Sequence, residues 1–376
     1  MTICSNCVMD TSDPDIVFDA AGVCNHCRDF VEVSAKRWFP NAEGGRRLQE
    51  IVGAIKAAGV GQEYDCILGL SGGVDSSYLA VKARDWGLRP LVVHVDAGWN
   101  SELAVANIEN VVKYCGYDLH THVVDWEDMR DLQLSYLRAG VANQDVPQDH
   151  VFFASLYRFA TKNRIRYVLS GGNLATEGIF PKSWQGSAMD EINLKAIHSA
   201  YSARPLKSYD TVSCFDYYIG YPFLKKMRVI RPLNYMPYSK EEAVQELKEA
   251  INWRPYGRKH GESLFTKLFQ NYYLPTKFGY DKRRPHLSSL IVSGQMSREE
   301  ALRQLSEPLY EPRELELDLN YLCKKLRITR VQFEELMVVP SHHYTDFPNW
   351  GKRQRLLKSA QDLVARATGR RVSVYS

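Results

Sequence analysis

Apolar and polar positions change rhythm along the chain in three stages. Up to about residue 47 there is little periodic apolar pattern. From about residue 48 to 250, short apolar runs alternate with stretches whose apolar residues recur at helical spacing. Beyond that, helix signals dominate and basic residues accumulate. The pattern predicts an N-terminal segment over 1–47, a central domain over 48–250 and a mostly helical region over 251–376.

In the central domain Tyr64 to Leu70 reads as a buried strand, and a helix follows from about Ser76 to Trp86, with Gly87 just past its end. Leu91 to Asp96 is a second strand. Ser101 is placed to cap a helix running to about Cys115 and stopping at Gly116. His120 to Asp125 and Arg166 to Ser170 read as a third and a fourth strand. Strands alternating with helices predict an α/β fold, a doubly wound parallel sheet covered on both faces, whose ligands sit at the carboxyl ends of the strands. The last region carries three capping-box patterns: Ser239 with Glu242, Ser297 with Glu300, and Thr329 with Gln332.

Composition narrows the class. With 376 residues, 45% of them hydrophobic and 24% charged, the chain can bury a large core and is not of the disordered type. A formal net charge of +4 suits a phosphate-rich small ligand and is weak for a dedicated nucleic-acid binder. No apolar run approaches the roughly 18 residues that span a membrane, and Met1 to Asp10 lack the charged lead and apolar run of a signal peptide. The expectation is a cytoplasmic protein with no membrane partner.

The strongest chemical signal is Ser71-Gly72-Gly73-Val74-Asp75-Ser76-Ser77, which follows a predicted strand and opens a predicted helix. Gly72 and Gly73 allow a sharp turn and close approach to a ligand. Backbone N–H groups then converge with the positive end of the helix dipole, which makes an anion cradle. Ser71, Ser76 and Ser77 add hydroxyls, and Asp75 is placed to hold Mg²⁺ against phosphate oxygens. The loop is not a Walker motif, since no Lys follows the glycines. Ser-Gly-Gly-x-Asp-Ser resembles the signature of the PP-loop family, the N-type ATP pyrophosphatases. That resemblance implies ATP cleavage between the α- and β-phosphates, with transfer of AMP to the substrate and Asp75 and Ser76 at the chemistry.

Further positions fit the same sheet. Asp96 closes the second strand, either at the adenosine end of the nucleotide or as a plain turn or cap residue. Gly171, Gly172 and Asn173 end the fourth strand, either facing the nucleotide or second substrate or forming a simple turn. Glu177 and Lys182 are candidate polar groups on that rim, Lys182 with a catalytic role.

Cys4-x₂-Cys7 and Cys24-x₂-Cys27, with residues 8 to 23 between the pairs, have the spacing of a structural zinc ribbon. Four thiolates close the shell of a Zn²⁺ ion; the rival is an iron–sulfur cluster, and His26 is a possible replacement ligand. Cys66, Cys115, Cys214 and Cys323 are scattered and read as ordinary buried thiols.

Between Trp253 and His286 basic side chains interleave with glycines and aromatics, a mix that could clamp nucleotide phosphates, grip RNA, or form a solvated face. His260 and Glu262 are candidate acid–base groups there.

Taken together, Cys4 to Asp10, Cys24 to Cys27, the Ser71 to Ser77 loop, Gly171-Gly172-Asn173 and the stretches Tyr256 to Lys267 and Tyr272 to Ser289 resemble the N-acetyl sugar amidotransferase family of bacterial surface-polysaccharide (LPS O-antigen) synthesis. The resemblance implies an enzyme that converts an N-acetyl group of a sugar nucleotide to an acetamidino group, with ATP, Mg²⁺ and structural Zn²⁺. It also implies a separate glutaminase, resembling the histidine-biosynthesis one and joined by a cyclase-like companion, as the ammonia source. The sequence agrees in one respect: Thr2 follows Met1, and no G-x-C-x-G elbow surrounds Cys66, Cys115, Cys214 or Cys323, so no built-in glutaminase nucleophile is visible. Two other readings stand beside it, a tRNA-thiolating enzyme of the same superfamily and a non-enzymatic adenine-nucleotide module.

Overall fold

The computed structural model describes residues 2–184, 186–256 and 261–368. Five parallel strands form one sheet: β1 (Cys66–Gly69), β2 (Pro90–Asp96), β3 (Leu119–Val123), β4 (Tyr167–Leu169) and β5 (Arg228–Ile230). Their order is β3-β2-β1-β4-β5. In the central strand Ile67 stands opposite Leu91 of β2 and Val168 of β4.

Alternation along β1 sends neighbouring side chains to opposite layers. Ile67 joins Val93 and Val95 under the helices Trp126–Ala139, Val146–Lys162 and Glu191–Tyr201. Cys66 and Leu68 join Val92 and Leu169 under Val74–Asp85, Glu102–Cys115 and Lys240–Ile251. Both faces are covered, so the sheet is doubly wound. Cys66 is completely buried, as expected of a core thiol.

The strands and helices predicted between Tyr64 and Ser170 all form, with ends shifted by at most two residues. Ser101 caps its helix by accepting from the Ala104 N–H, and Gly116 ends it in left-handed backbone. Of the five strands, β5 has no counterpart in the sequence reading. Three residues carrying two apolar side chains, with an arginine at the front, offer no periodicity to detect. Of the three capping boxes only Thr329 with Gln332 is reciprocal. Ser239 and Ser297 do cap their helices, but the Glu300 carboxylate turns to Arg303 and Gln304 instead of reaching back.

The helices beyond residue 263 pack onto the sheet layer. Phe265, Leu268, Leu322 and Phe333 share a core with Trp99, Leu134 and Leu137. The N-terminal cysteine segment sits on the helix Arg283–Val292: Arg284 donates to the Val8 carbonyl (2.8 Å) and pairs with Asp10 (2.8 Å), and Ser288 accepts from the Val8 N–H. Among the described residues no helix is long and apolar enough to cross a membrane.

Candidate active site

The strand order reverses between β1 and β4, which opens a crevice at the carboxyl ends of both. A cavity of about 690 Å³ occupies it. Ser71 lies on one wall, His94 and Asn100 on the β2 side, and Gly172, Asn173 and Arg231 on the β4–β5 side. The roof comes from the C-terminal region, through Glu262, Thr266, Lys282 and His286.

The loop after β1 is tightly folded. The Ser76 hydroxyl donates to the Gly73 carbonyl (3.1 Å) and lies 3.2 Å from the Ser71 hydroxyl, which accepts from the Gly73 N–H (3.3 Å). Gly72 has φ +84°, and a Cβ there would sit 3.0 Å from the Ala104 carbonyl oxygen, so glycine is required on both counts. The Gly72 carbonyl is drawn away from the crevice by two donors, the Tyr256 hydroxyl (2.8 Å) and Trp253 Nε1 (3.3 Å). Tyr256 is itself held by Asn107 Nδ2 (3.1 Å), which also bonds the Arg254 carbonyl. With the carbonyl turned out, the first-turn N–H groups of Val74–Asp85 stay unsatisfied within the helix and define an anion seat.

Asp75 stands at the start of that helix. Its Oδ1 accepts from the Tyr238 hydroxyl and from Asn173 Nδ2 (3.2 Å). Tyr238 is buried against Tyr78, and burial together with the Asp75 charge pushes its hydroxyl far above the usual phenol range, so it stays a donor. Gly171 packs on the same turn: a Cβ there would lie 3.0 Å from the Asp75 carbonyl carbon and the Ser76 nitrogen. The second glycine pair thus touches the first turn of the loop helix at Asp75 and Ser76. Glu262 reaches the loop because the backbone pairs across 99–101 and 262–264: Ser101 N–H to Glu262 O at 2.9 Å and Leu264 N–H to Trp99 O at 3.1 Å. Its Oε1 lies 3.4 Å from where a Cβ on Gly73 would be. Asp75 and Glu262 are the carboxylates at the loop. One or two carboxylates completed by phosphate oxygens and water is the usual donor set of Mg²⁺, so the residues fit that ion.

Other expected site residues fall elsewhere. Val74 and Ser77 face the core, and the Ser77 oxygen is buried without a hydrogen bond. Asp96 closes a turn, accepting from the Gly98 N–H (2.8 Å) and Asn100 Nδ2 (3.1 Å). Lys182 is exposed on a short 3₁₀ turn and does not line the cavity. Ile179 and Phe180 still line the cavity, and Lys182 stands just beyond them. His260 lies outside the described residues. Among the described residues, three cations of the 253–286 stretch are structural and neither clamp nor wave in solvent. Lys267 pairs with Glu314 (2.7 Å) and Asp318, Arg283 with Asp281 (2.8 Å), and Arg284 with Asp10. Among the described residues of the stretch, Lys282 and His286 are the cations that reach the cavity.

Three lining groups went unnoticed in the sequence: Arg231, Asp145 and Asp149. Asp145 Oδ1 accepts from Gln148 Nε2 (3.1 Å) and the Thr266 hydroxyl (3.0 Å). Asp149 is exposed, and the surface it opens on is the cavity. The protein packed around the cavity and the Asp145 charge push its carboxyl up to about 8 against the pull of Lys282.

The cysteine quartet closes as expected. Cys4 and Cys27 Sγ are 4.0 Å apart, Cys7 and Cys24 3.7 Å, and Cys24 and Cys27 3.7 Å. Four thiolates at ~2.3 Å around one ion sit roughly 3.8 Å apart. The spacing fits a single tetrahedral ion such as Zn²⁺ and is too tight to enclose a four-iron core. The N–H groups of Cys7 (3.4 Å) and Cys24 (3.2 Å) donate to Cys4 Sγ, and that of Met9 (3.4 Å) to Cys7 Sγ, an arrangement that stabilises thiolates. His26 is not a ligand; it pairs with Asp13 at 2.6 Å.

Residues 262–360 match the family model described as LPS biosynthesis protein WbpG-like, C-terminal domain. None of the curated proteins matches the chain. Solved structures similar to it include an NMN synthetase from Francisella tularensis (14% identity, 76% of this chain and 97% of that one, TM-score 0.35). Others are an NH3-dependent NAD synthetase from Campylobacter jejuni (12%, 79% and 98%, TM-score 0.32) and the U34-tRNA thiolase NcsA from Methanococcus maripaludis with its 4Fe–4S cluster (14%, 82% and 90%, TM-score 0.35). At these TM-scores the likenesses add nothing to the strand order and loop geometry already described. Over 262–360 the chain is similar to the C-terminal domain of WbpG-like LPS biosynthesis proteins, and the Ser71–Ser77 loop follows the central strand of its five-stranded parallel sheet.

Proposed function

We propose that the chain is a cytoplasmic, ATP-dependent, AMP-forming amidotransferase acting on the N-acetyl group of a sugar nucleotide, such as a UDP-diacetamido sugar or uronic acid. The product is an acetamidino sugar for surface polysaccharide. The observation that carries this reading is a shared cavity. The segment similar to the LPS biosynthesis domain supplies Glu262, Thr266, Lys282 and His286 to the same space that the phosphate loop opens on.

The chemistry follows from the residues. An amide oxygen is a poor leaving group until it carries AMP. The first-turn N–H groups of the loop helix seat the pyrophosphate end of ATP, with Asp75 and Glu262 as the residues to hold Mg²⁺. When bound, Mg²⁺ offsets charge on the triphosphate. The acetamido oxygen attacks the α-phosphorus and pyrophosphate departs with the electron pair. Ammonia adds to the imidate carbon, the C–O bond breaks toward AMP, and the amidine remains. Arg231 and Lys282 offer positive charge to the phosphates of the sugar nucleotide. The enclosing roof limits hydrolysis of the adenylate by water.

A separate glutaminase subunit, with a cyclase-like companion, supplies the ammonia in this reading. The thiols outside the metal cluster support it. None lines the cavity, and burial pushes Cys66, Cys115, Cys214 and Cys323 all above the usual thiol range. The same facts weigh against tRNA thiolation, which needs a reactive sulfur beside the loop. The test compares acceptors. A UDP-diacetamido sugar should stimulate pyrophosphate release from ATP while bulk tRNA does not; the opposite outcome would overturn the assignment.

A further inference from the structure

Resting on that reading, we propose that Asp149 is the proton acceptor that converts ammonium to ammonia beside the adenylated acetamido group. In neutral water the nitrogen donor is mostly ammonium, which has no lone pair to attack with. A base inside the cavity must therefore take one proton: the ammonium N–H bond breaks, the proton goes to a carboxylate oxygen of Asp149, and the freed lone pair forms the new C–N bond.

Position singles out Asp149. It lies on the helix Val146–Lys162, one turn before Phe152 on the same face, and both line the cavity. The Phe152 ring packs on β1, 2.7 Å from where a Cβ on Gly69 would be. Asp149 thus overhangs the strand end from which Ser71 starts the phosphate loop. The other acceptors on the walls are engaged. His94 Nδ1 bonds the Leu70 carbonyl (2.9 Å), and its Nε2 bonds Asn100 Nδ2 (2.9 Å). His286 Nδ1 is at 3.2 Å from the Thr176 carbonyl, and Asp145 Oδ1 is held by Gln148 and Thr266. Glu262 lies at the phosphate loop, and Glu177 beside Gly172. Among the described residues the Asp149 carboxylate takes part in no hydrogen bond, so its lone pairs face the cavity. The carboxyl, raised to about 8, is basic enough to accept the proton and weak enough to release it again.

The experiment pits two nitrogen nucleophiles against each other. Ammonium chloride needs a base; hydroxylamine is neutral at pH 7 and needs none. AMP release from ATP and a UDP-diacetamido sugar is followed with each, in the wild type and in Asp149→Asn, with Asp149→Ala as the second variant should the first fold poorly. The ratio of ammonium-driven to hydroxylamine-driven rate should fall on the order of 100-fold in the variants, as expected for loss of a general base. A ratio unchanged from the wild type overturns the assignment, whatever happens to the total rate. A wild type that releases AMP with neither nucleophile overturns the amidotransfer reading itself, and the base assignment with it.

Discussion

The hydroxyl of Tyr256 donates to the carbonyl oxygen of Gly72 at 2.8 Å, across 184 positions of sequence. This contact ties the segment leading into the C-terminal region to the phosphate loop and draws the Gly72 carbonyl, which would repel an anion, away from the seat. Tyr256→Phe leaves Gly72 with only the longer bond from Trp253. The loss of about 1 kcal/mol should weaken ATP binding about fivefold with little change in melting temperature. Calorimetric titration with ATP checks it, and unchanged affinity would show that the contact does not shape the seat.

Asp75→Asn tests the anchor of the nucleotide. An asparagine can still accept from Tyr238 and Asn173 through its amide oxygen, so the melting temperature should stay close to that of the wild type. The negative charge needed for Mg²⁺ is gone, and pyrophosphate release should drop on the order of 100-fold or more. A variant that keeps its turnover would remove Asp75 from the metal site.

The metal ion is expected to act at a distance. Arg298 donates to the carbonyls of Cys4 (2.9 Å) and Cys7 (3.1 Å), and Arg284 holds Val8 and Asp10, so the cysteine knuckles brace the helix that carries His286 into the cavity. Elemental analysis should find one zinc per chain and no stoichiometric iron. Chelation should lower the melting temperature and weaken nucleotide binding together. Four irons per chain, or an unchanged melting curve after chelation, would contradict the site.

Asp149 has a signature in stability. Its folded carboxyl is raised, so the folded state prefers the protonated form. Its favourable contribution is present below the usual carboxylate pKa and is lost as pH rises through about 8. Asp149→Asn should therefore melt close to the wild type in mild acid and increasingly above it from pH 5 to 9. A melting difference that does not change with pH would contradict the raised carboxyl.

The parts of this site that lie close together in sequence were legible there. Ser71 to Ser77 and the four cysteines concentrate their chemistry in a few positions, and the alternating runs announced the sheet. What escaped came from distance and from ordinariness. Asp149 looks like any acid in a helix's first turn, Arg231 follows a strand of three residues, and Tyr238 meets Asp75 only after the chain has crossed the sheet. Lys182 is close to Gly171-Gly172 in sequence, but the cavity wall ends at Phe180 on that segment, and among the described residues the lysine that lines the cavity is Lys282. The basic stretch reads as one functional face because sequence does not show that Glu314, Asp318, Asp281 and Asp10 pair with Lys267, Arg283 and Arg284.

The central claim is that this loop hands an adenylyl group to an acetamido oxygen so that nitrogen can replace that oxygen. The most direct test incubates the purified chain with ATP, ammonium chloride and a UDP-diacetamido sugar, then identifies the nucleotide and sugar products by mass spectrometry. The account predicts AMP and pyrophosphate in step with a sugar nucleotide in which one amide oxygen has become NH. ADP and phosphate, or AMP formed while the sugar keeps its mass, would contradict it.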